Sequence, residues 1–321
     1  MVVAYRDSLQ PCTSGPDAQP PQRGVATALL SAAMFGTSGS FATSLLRAGW
    51  SPAAAVSIRL LVAALVLTVP ASRQLRRCRQ PWRAGARTVF LYGLVPVAGC
   101  QLCYFQAVQH LSVAIALLLE YSGALLVIAW QWGRHRQAPG WLTSVGSIVA
   151  MVGLLLVLDL TSTQRIDSVG VLWGLGAAVG LAVYFVVSAA DDEALPPLVV
   201  AWGGLGVGAV GMVIAGAVGM VPMVAPRVPV VLAHDRVSWL VPVFGLAIIA
   251  AAFAYVTGIA AARALGARVA SFVGLAEVIF AIIYAWLLLG QRLTVTQLAG
   301  SALVVAGIAL VRGDRTIRVT R

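Results

Sequence analysis

The chain contains no lysine; all 22 of its basic residues are arginine. Charge of either sign is scarce. Only 10% of the 321 residues are charged, against about 25% in an ordinary soluble domain. Hydrophobic residues make up 60% of the chain and the mean hydropathy is +0.91. A water-soluble fold of this length cannot hide so much apolar surface, which leaves a polytopic membrane protein. Histidine is nearly absent, with three in the whole chain, and no HExxH motif, paired histidines or Ser/His/Asp set is visible. A hydrolytic or metal enzyme therefore has little to work with, and no catalytic residue, metal site or cofactor is expected. No P-loop is present, so ATP is not the evident energy source.

Cysteine is also sparse: Cys12, Cys78, Cys100 and Cys103. The last two form C-Q-L-C inside an apolar run. A redox or metal pair needs a thiolate in a polar, partly exposed setting, so these read as small core residues. The net charge of +11 and sequence pI of about 10.5 would suggest nucleic acid in a soluble protein. Here the arginines lie between apolar runs, with no basic face interleaved with aromatics, and nucleic-acid binding is not expected.

The chain is rich in long apolar runs. A spanning helix needs about 20 mostly apolar residues, and ten segments qualify: Val25–Leu46, Pro52–Pro70, Thr88–Gln109, Leu111–Trp132, Trp141–Leu158, Val169–Ala190, Leu198–Val218, Trp239–Ala262, Val269–Leu289 and Leu293–Val311. The connections leave no room for a soluble domain. Residues 1–23 lack a signal-peptide apolar region and are expected to form a disordered, proline-rich cytoplasmic tail. With the N-terminus inside, sixteen arginines fall on the cytoplasmic side, five outside, and Arg59 within a span. That asymmetry predicts both termini cytoplasmic in a multi-pass protein of the cytoplasmic membrane.

Two halves of the chain echo each other. LLLEYSGALLVIAWQWG and GLAEVIFAIIYAWLLLG each set a glycine thirteen positions after a glutamate, Glu120 to Gly133 and Glu277 to Gly290. Gly146 and Gly153 are seven apart, as are Gly300 and Gly307. These agreements, in order, predict tandem halves near 24–158 and 169–312, with a linker at 159–168 and a cytoplasmic tail at 313–321. Each half holds five spans. An odd number makes the second half enter from the opposite side, giving an inverted repeat with its site near the midplane. The expected fold is all-α and integral to the membrane: ten transmembrane helices in two inverted five-helix repeats.

FGTSGSF in the first span, SPAAAVSIRLL with Arg59, LLLEY at Glu120, and ASFVGLAEVIFAIIYAWLLLGQRLTVTQLAGSALVVAGIALV near the end together resemble the EamA half-repeats of the drug/metabolite transporter (DMT) superfamily. The likeness covers nearly the whole chain and is strongest over 255–311. It implies an inner-membrane carrier, usually an exporter of amino acids or related small metabolites. It also implies that spans one, three, four, six, eight and nine surround the cavity, with five and ten peripheral. Tyr121-Ser122-Gly123 and Val278-Ile279 stand where family members often carry proline, and Gln291 where glutamate is common.

Glu120 and Glu277 are the residues that demand explanation. A charge at the bilayer centre costs roughly 2.5 kcal/mol or more on insertion scales. Under inversion the two approach the midplane from opposite faces, flanked by small residues that leave space for substrate or water. They are read as binding an amine or cation, or exchanging a proton as the carrier turns; the alternative is a carboxylate bonded to a neighbouring helix. Arg59 lies seven residues past Pro52, about 10 Å deep, and an ion pair with Glu120 at similar depth is weighed against bonds to backbone carbonyls. Seven past Pro197 the second half has Gly204, so Glu277 has no matching arginine. Tyr104, Tyr121, Tyr184 and Tyr255, with Gln101, Gln106 and Ser38, complete the candidate site, since tyrosine offers a small solute both a ring and a hydroxyl. His110 is placed at an outer helix end. G-x-G-x-x-G at Gly206, Gly208 and Gly211 lacks the preceding strand of a nucleotide site and reads as close helix packing.

The resulting expectation is a secondary transporter of a small amine-bearing metabolite, working by alternating access, with efflux and proton coupling drawn from the resemblance. Its partners are the solute, protons and the lipid bilayer, with a homodimer left open. Two rivals stand beside it. A carrier of sugar conjugates or lipid-linked groups would want a basic, polar cavity. A membrane scaffold or lipid-modifying enzyme would show no cavity reaching Glu120 or Glu277.

Overall fold

The computed structural model describes residues 21–77, 83–111, 113–135, 139–157, 167–189, 195–233, 235–289 and 294–319. The expected tail up to residue 20, most of the 159–168 linker, Cys12, Cys78, Gly290, Gln291 and Arg6, Arg79, Arg136, Arg165, Arg292 and Arg321 lie outside them. Each long apolar run closes its backbone hydrogen bonds within itself, the requirement that lipid imposes. The elements in order are α1 (Pro21–Arg47), α2 (Pro52–Arg77), α3 (Arg83–Tyr92), a π-helical segment (Gly93–Gly99), α4 (Cys100–His110), α5 (Val113–Tyr121), α6 (Gly123–His135) and α7 (Trp141–Val157). Then come α8 (Ser168–Ser188), α9 (Pro197–Ala217), the strands β1 (Val230–Leu232) and β2 (Asp235–Val237), α10 (Leu240–Phe244), a second π-helical segment (Gly245–Phe253), α11 (Ala254–Leu265), α12 (Ala267–Gly274), α13 (Ala276–Leu289) and α14 (Val295–Val319).

Among the described residues, eight helices are long and apolar enough to cross a membrane, against the ten segments read from sequence. The other two segments are α7, a shorter apolar helix, and the run divided at Ser122 into α5 and α6. Several ends differ from expectation: α1 begins at Pro21, α2 continues past Pro70 to Arg77, and α14 runs through most of the segment expected as a tail. The third and eighth spans are interrupted by the π-helical segments. In the first, Pro96 removes a backbone donor and widens the turn.

The fourth and ninth spans are broken beside their glutamates without proline. Ser122 ends α5, its amide shared between the carbonyls of Leu118 (3.1 Å) and Leu119 (3.2 Å). Ser-Gly pairs bend helices readily, and a Cβ at Gly123 would lie 2.5 Å from the Ala178 carbonyl oxygen, so only glycine lets α8 approach this closely. In the ninth span α12 gives way to α13 at Leu275, whose amide bonds Phe272 at 3.1 Å.

Small residues set the helix pairs. Along α7 and α14, Gly146 meets Gly307 and Gly153 meets Gly300, so the two helices run antiparallel with backbone against backbone. The same sense holds for α2 and α9, where Trp202 Nε1 donates to Thr68 Oγ1 (3.1 Å) and Gly208 faces Leu60. Helix α1 packs antiparallel on α11 (Gly24 on Leu265, Ser31 Oγ donating to the Ala254 carbonyl at 2.8 Å), and α8 packs antiparallel on α4 (Gly176 on Cys103, Gly180 on Cys100). Gly204 and Gly208 sit against Tyr92 and Val97, which accords with close helix packing.

One feature departs from the all-α expectation. The long connection after α9 forms a β-hairpin, with Val230 opposite Val237, Val231 opposite Arg236 and Leu232 opposite Asp235. It caps one end of the bundle: Ser51 N–H donates to the Val224 carbonyl (2.8 Å) and Trp50 Nε1 to the Pro226 carbonyl (2.9 Å). Beneath it a small apolar cluster of Leu45, Trp50, Val230, Val243 and Leu246 seals that end.

Candidate functional site

The interruptions bring the two glutamates to one place. Glu120 is in the last turn of α5 and Glu277 in the first turn of α13, and both line a single cavity of about 80 Å³. That is several times the room a single water needs. Its walls come from α1, the third span (Pro96, Cys100, Gln101), α5, α8, α11 and the α12–α13 corner, while α7 and α14 contribute nothing. These are the six spans the family resemblance places around a cavity. The arrangement expected of a scaffold, with no cavity at either carboxylate, is not seen.

Of the candidate residues, Glu120, Tyr121, Tyr184, Tyr255 and Glu277 line the cavity, and Arg59, Ser38 and Tyr104 do not. Tyr121 and Glu277 line the cavity together, which brings the end of α5 to the start of α13. Glu120 Oε1 accepts from the Cys100 thiol at 3.5 Å, and the same thiol reaches the Ala177 carbonyl at 3.3 Å. The opposite wall is aromatic. Phe35 stands edge-on to Tyr255 with centroids 5.1 Å apart, and Tyr184 stands edge-on to Phe185 at 4.9 Å and Tyr255 at 5.8 Å. Carboxylates facing π-systems form a chemical environment suited to an organic cation.

Arg59 follows the second of the two readings weighed for it, bonds to a backbone carbonyl. It is 2% exposed and forms no salt bridge with Glu120 among the described residues. Its Nη2 donates to the Ala250 carbonyl at 2.8 Å, and its Nη1 to Ser38 Oγ at 3.2 Å and Gln101 Oε1 at 3.4 Å. Depth had placed Arg59 level with Glu120, but Glu120 is bonded by Cys100, while Arg59 bonds Ala250, Ser38 and the residue after Cys100, Gln101. The second π-helical segment presents the carbonyl that takes the guanidinium. Ser38 is thus a partner of Arg59, and Tyr104 packs edge-on to Phe105 at 5.4 Å.

Sequence reading missed the roles of Cys100, Ser31, Phe35 and Gly258. Cys100 sat in an apolar run and carried no polar signal. Gly258 lies against the Tyr184 hydroxyl, which a Cβ there would strike, and this contact is long-range. His110 ends α4, as expected for a helix end, and bonds Asp167 at 2.9 Å. Asp167 caps α8 by accepting from the Val169 amide (2.9 Å); that bond and the one from His110 hold its carboxyl below the usual range.

The sequence model of the EamA-like transporter family matches residues 22–159 and 168–313. The chain belongs to the EamA-like transporter family. It is a multi-pass membrane transporter of that type. Among relatives of this EamA protein, the uncharacterized transporter YwfM of Bacillus subtilis (strain 168) is 29% identical over 178 residues, 53% of this chain and 56% of that one, so this match spans little more than half of YwfM. The uncharacterized inner membrane transporter YicL of Salmonella typhimurium is 23% identical over 300 residues, 91% of this chain and 96% of that one. A solved crystal structure matches the EamA fold seen here with a TM-score of 0.73 at 18% identity, over 90% of this chain and 97% of its own.

Proposed function

We propose that this chain is a secondary carrier that moves a small amine-bearing metabolite, an amino acid or a related solute, across the cytoplasmic membrane by alternating access. The observation that carries the reading is the cavity where Glu120 and Glu277 converge opposite Phe35, Tyr184 and Tyr255. An uncompensated buried carboxylate is costly. Either a cationic group of the solute or a proton offsets that cost, so the two compete for one site, and exchange of one for the other couples export of solute to entry of protons. Efflux as the direction follows from the family resemblance. An anionic sugar conjugate would meet two carboxylates in this cavity and is disfavoured.

The architecture we infer is ten helices in two inverted halves, near 24–158 and 169–312, with both termini cytoplasmic. Its support is the antiparallel pairing of corresponding helices, α2 with α9 and α7 with α14, and the reciprocal seating of α1 on α11 and α8 on α4. The test is counterflow in proteoliposomes with radiolabelled amino acids and amines. The expected result is accumulation of one or a few amine-bearing solutes, abolished when a proton gradient of the wrong sign is imposed. Accumulation of anionic solutes alone would overturn the reading.

A further inference from the structure

Arg59 is a buried cation served only by neutral acceptors. Its strongest bond goes to the Ala250 carbonyl (2.8 Å), and its weakest to Gln101 Oε1 (3.4 Å). Its Nε is buried and has no hydrogen-bond partner. Glu277 and Glu120 act on the guanidinium through space, and neither forms a salt bridge with it among the described residues. Gln101 stands between Arg59 and the cavity, which it lines. The residue before it, Cys100, holds Glu120. Two consecutive side chains of α4 therefore address the cation and one of the carboxylates, Gln101 from the cavity wall to Arg59 behind it and Cys100 to Glu120.

We propose that Arg59, screened by Gln101, is an anion subsite that takes the carboxylate of the transported solute. The proposal rests on the reading of an amine-bearing substrate and deepens it: the solute is a zwitterion whose ammonium meets Glu120 and Glu277 and whose carboxylate replaces the Gln101 amide oxygen on the guanidinium. A carboxylate takes a guanidinium in a forked, charge-assisted arrangement that a neutral amide oxygen cannot match. The carboxylate takes the Nη1 edge that Gln101 now occupies; Nε lies on the other edge, beside the Nη2 that bonds Ala250. Gln101 keeps the cation covered when the site is empty, and it is the specificity-determining residue for the acidic end of the solute.

The experiment is equilibrium binding to the purified full-length protein of each of the twenty standard amino acids and its matching carboxamide, which keeps the ammonium and loses the acid. The wild-type protein is expected to bind its preferred amino acid roughly 10- to 100-fold more tightly than the carboxamide, the scale of one lost bond to a charged group. In Arg59→Lys the ratio shrinks because the fork is lost. In Gln101→Leu the ratio grows because a competing oxygen is gone, while a merely structural role for Arg59 predicts an unchanged ratio in both variants. Equal affinity for acids and carboxamides overturns the anion subsite and leaves the amine reading standing. Binding of neither series removes the amine reading and the subsite with it.

Discussion

Glu277→Gln reduces solute counterflow by about 100-fold while the protein accumulates and folds normally. Gln fills the same volume and keeps a polar group on the cavity wall beside Tyr121. What it removes is the negative charge facing the cavity. A hydrogen bond to a charged group contributes about 1.5–3 kcal/mol, and each 1.4 kcal/mol is tenfold in affinity. Glu120→Gln follows the same logic, with Cys100 still able to donate to the amide oxygen. The two losses do not add, because both groups serve one cavity. Since the substitution also removes a buried charge, melting temperature in detergent holds or rises. Normal transport would contradict the prediction, and lost transport accompanied by a lowered melting temperature would mark the carboxylate as structural.

Gly153→Leu lowers the apparent melting temperature by roughly 5–10 °C, the shift that follows from about 3 kcal/mol of overpacking in a chain of this size. A Cβ at Gly153 would lie 2.6 Å from the Val304 amide nitrogen and 2.7 Å from the Gly300 carbonyl oxygen. Both are backbone atoms, so no rotamer change relieves the contact and the helices must separate. The pair carries its own control. At Gly133 a Cβ meets nothing within 4 Å, so Gly133→Leu leaves the melting temperature within about 1 °C. A drop at Gly133 equal to that at Gly153 would show that the α7–α14 seam has no special part in stability.

The elements legible in the sequence were those fixed by composition and length. Lipid demands runs of apolar residues that satisfy their own backbones, so segments such as 197–217 stood out with nearly their final bounds. Glu120 and Glu277 stood out because an isolated acid in such a run is costly. The breaks beside them were not legible. They depend on Gly123 being pressed against Ala178 and on Gly274 being pressed against Phe185, contacts between segments far apart in the chain. The π-helical segment over 245–253 was hidden for the same kind of reason, since its wide turn and the carbonyl it offers Arg59 leave no mark on hydropathy.

Of the two readings weighed for Arg59, the bond to a backbone carbonyl is the one seen; rise along a helix gives depth but not direction, so the sequence did not choose between them. Ser38 was rightly noticed as polar in an apolar run, yet its oxygen serves Arg59 and not the cavity. Cys100 was discounted as packing, though a thiol is a weak donor that a nearby carboxylate can use. The hairpin at 230–237 was unreadable because its strands are three residues each and lie in a connection that carries no alternating pattern long enough to register.

The account stands on two carboxylates reaching one solvated compartment from different halves of the chain. The most direct measurement places a single cysteine at residue 120 or 277, in a protein whose four native cysteines are replaced by alanine, and labels each in liposomes with a small water-soluble methanethiosulfonate. Glu120→Cys and Glu277→Cys are both expected to be labelled, and solute is expected to slow both only at a concentration raised about 100-fold to offset the lost carboxylate. A cysteine at either position that stays inert with and without solute, while the other reacts, would contradict it.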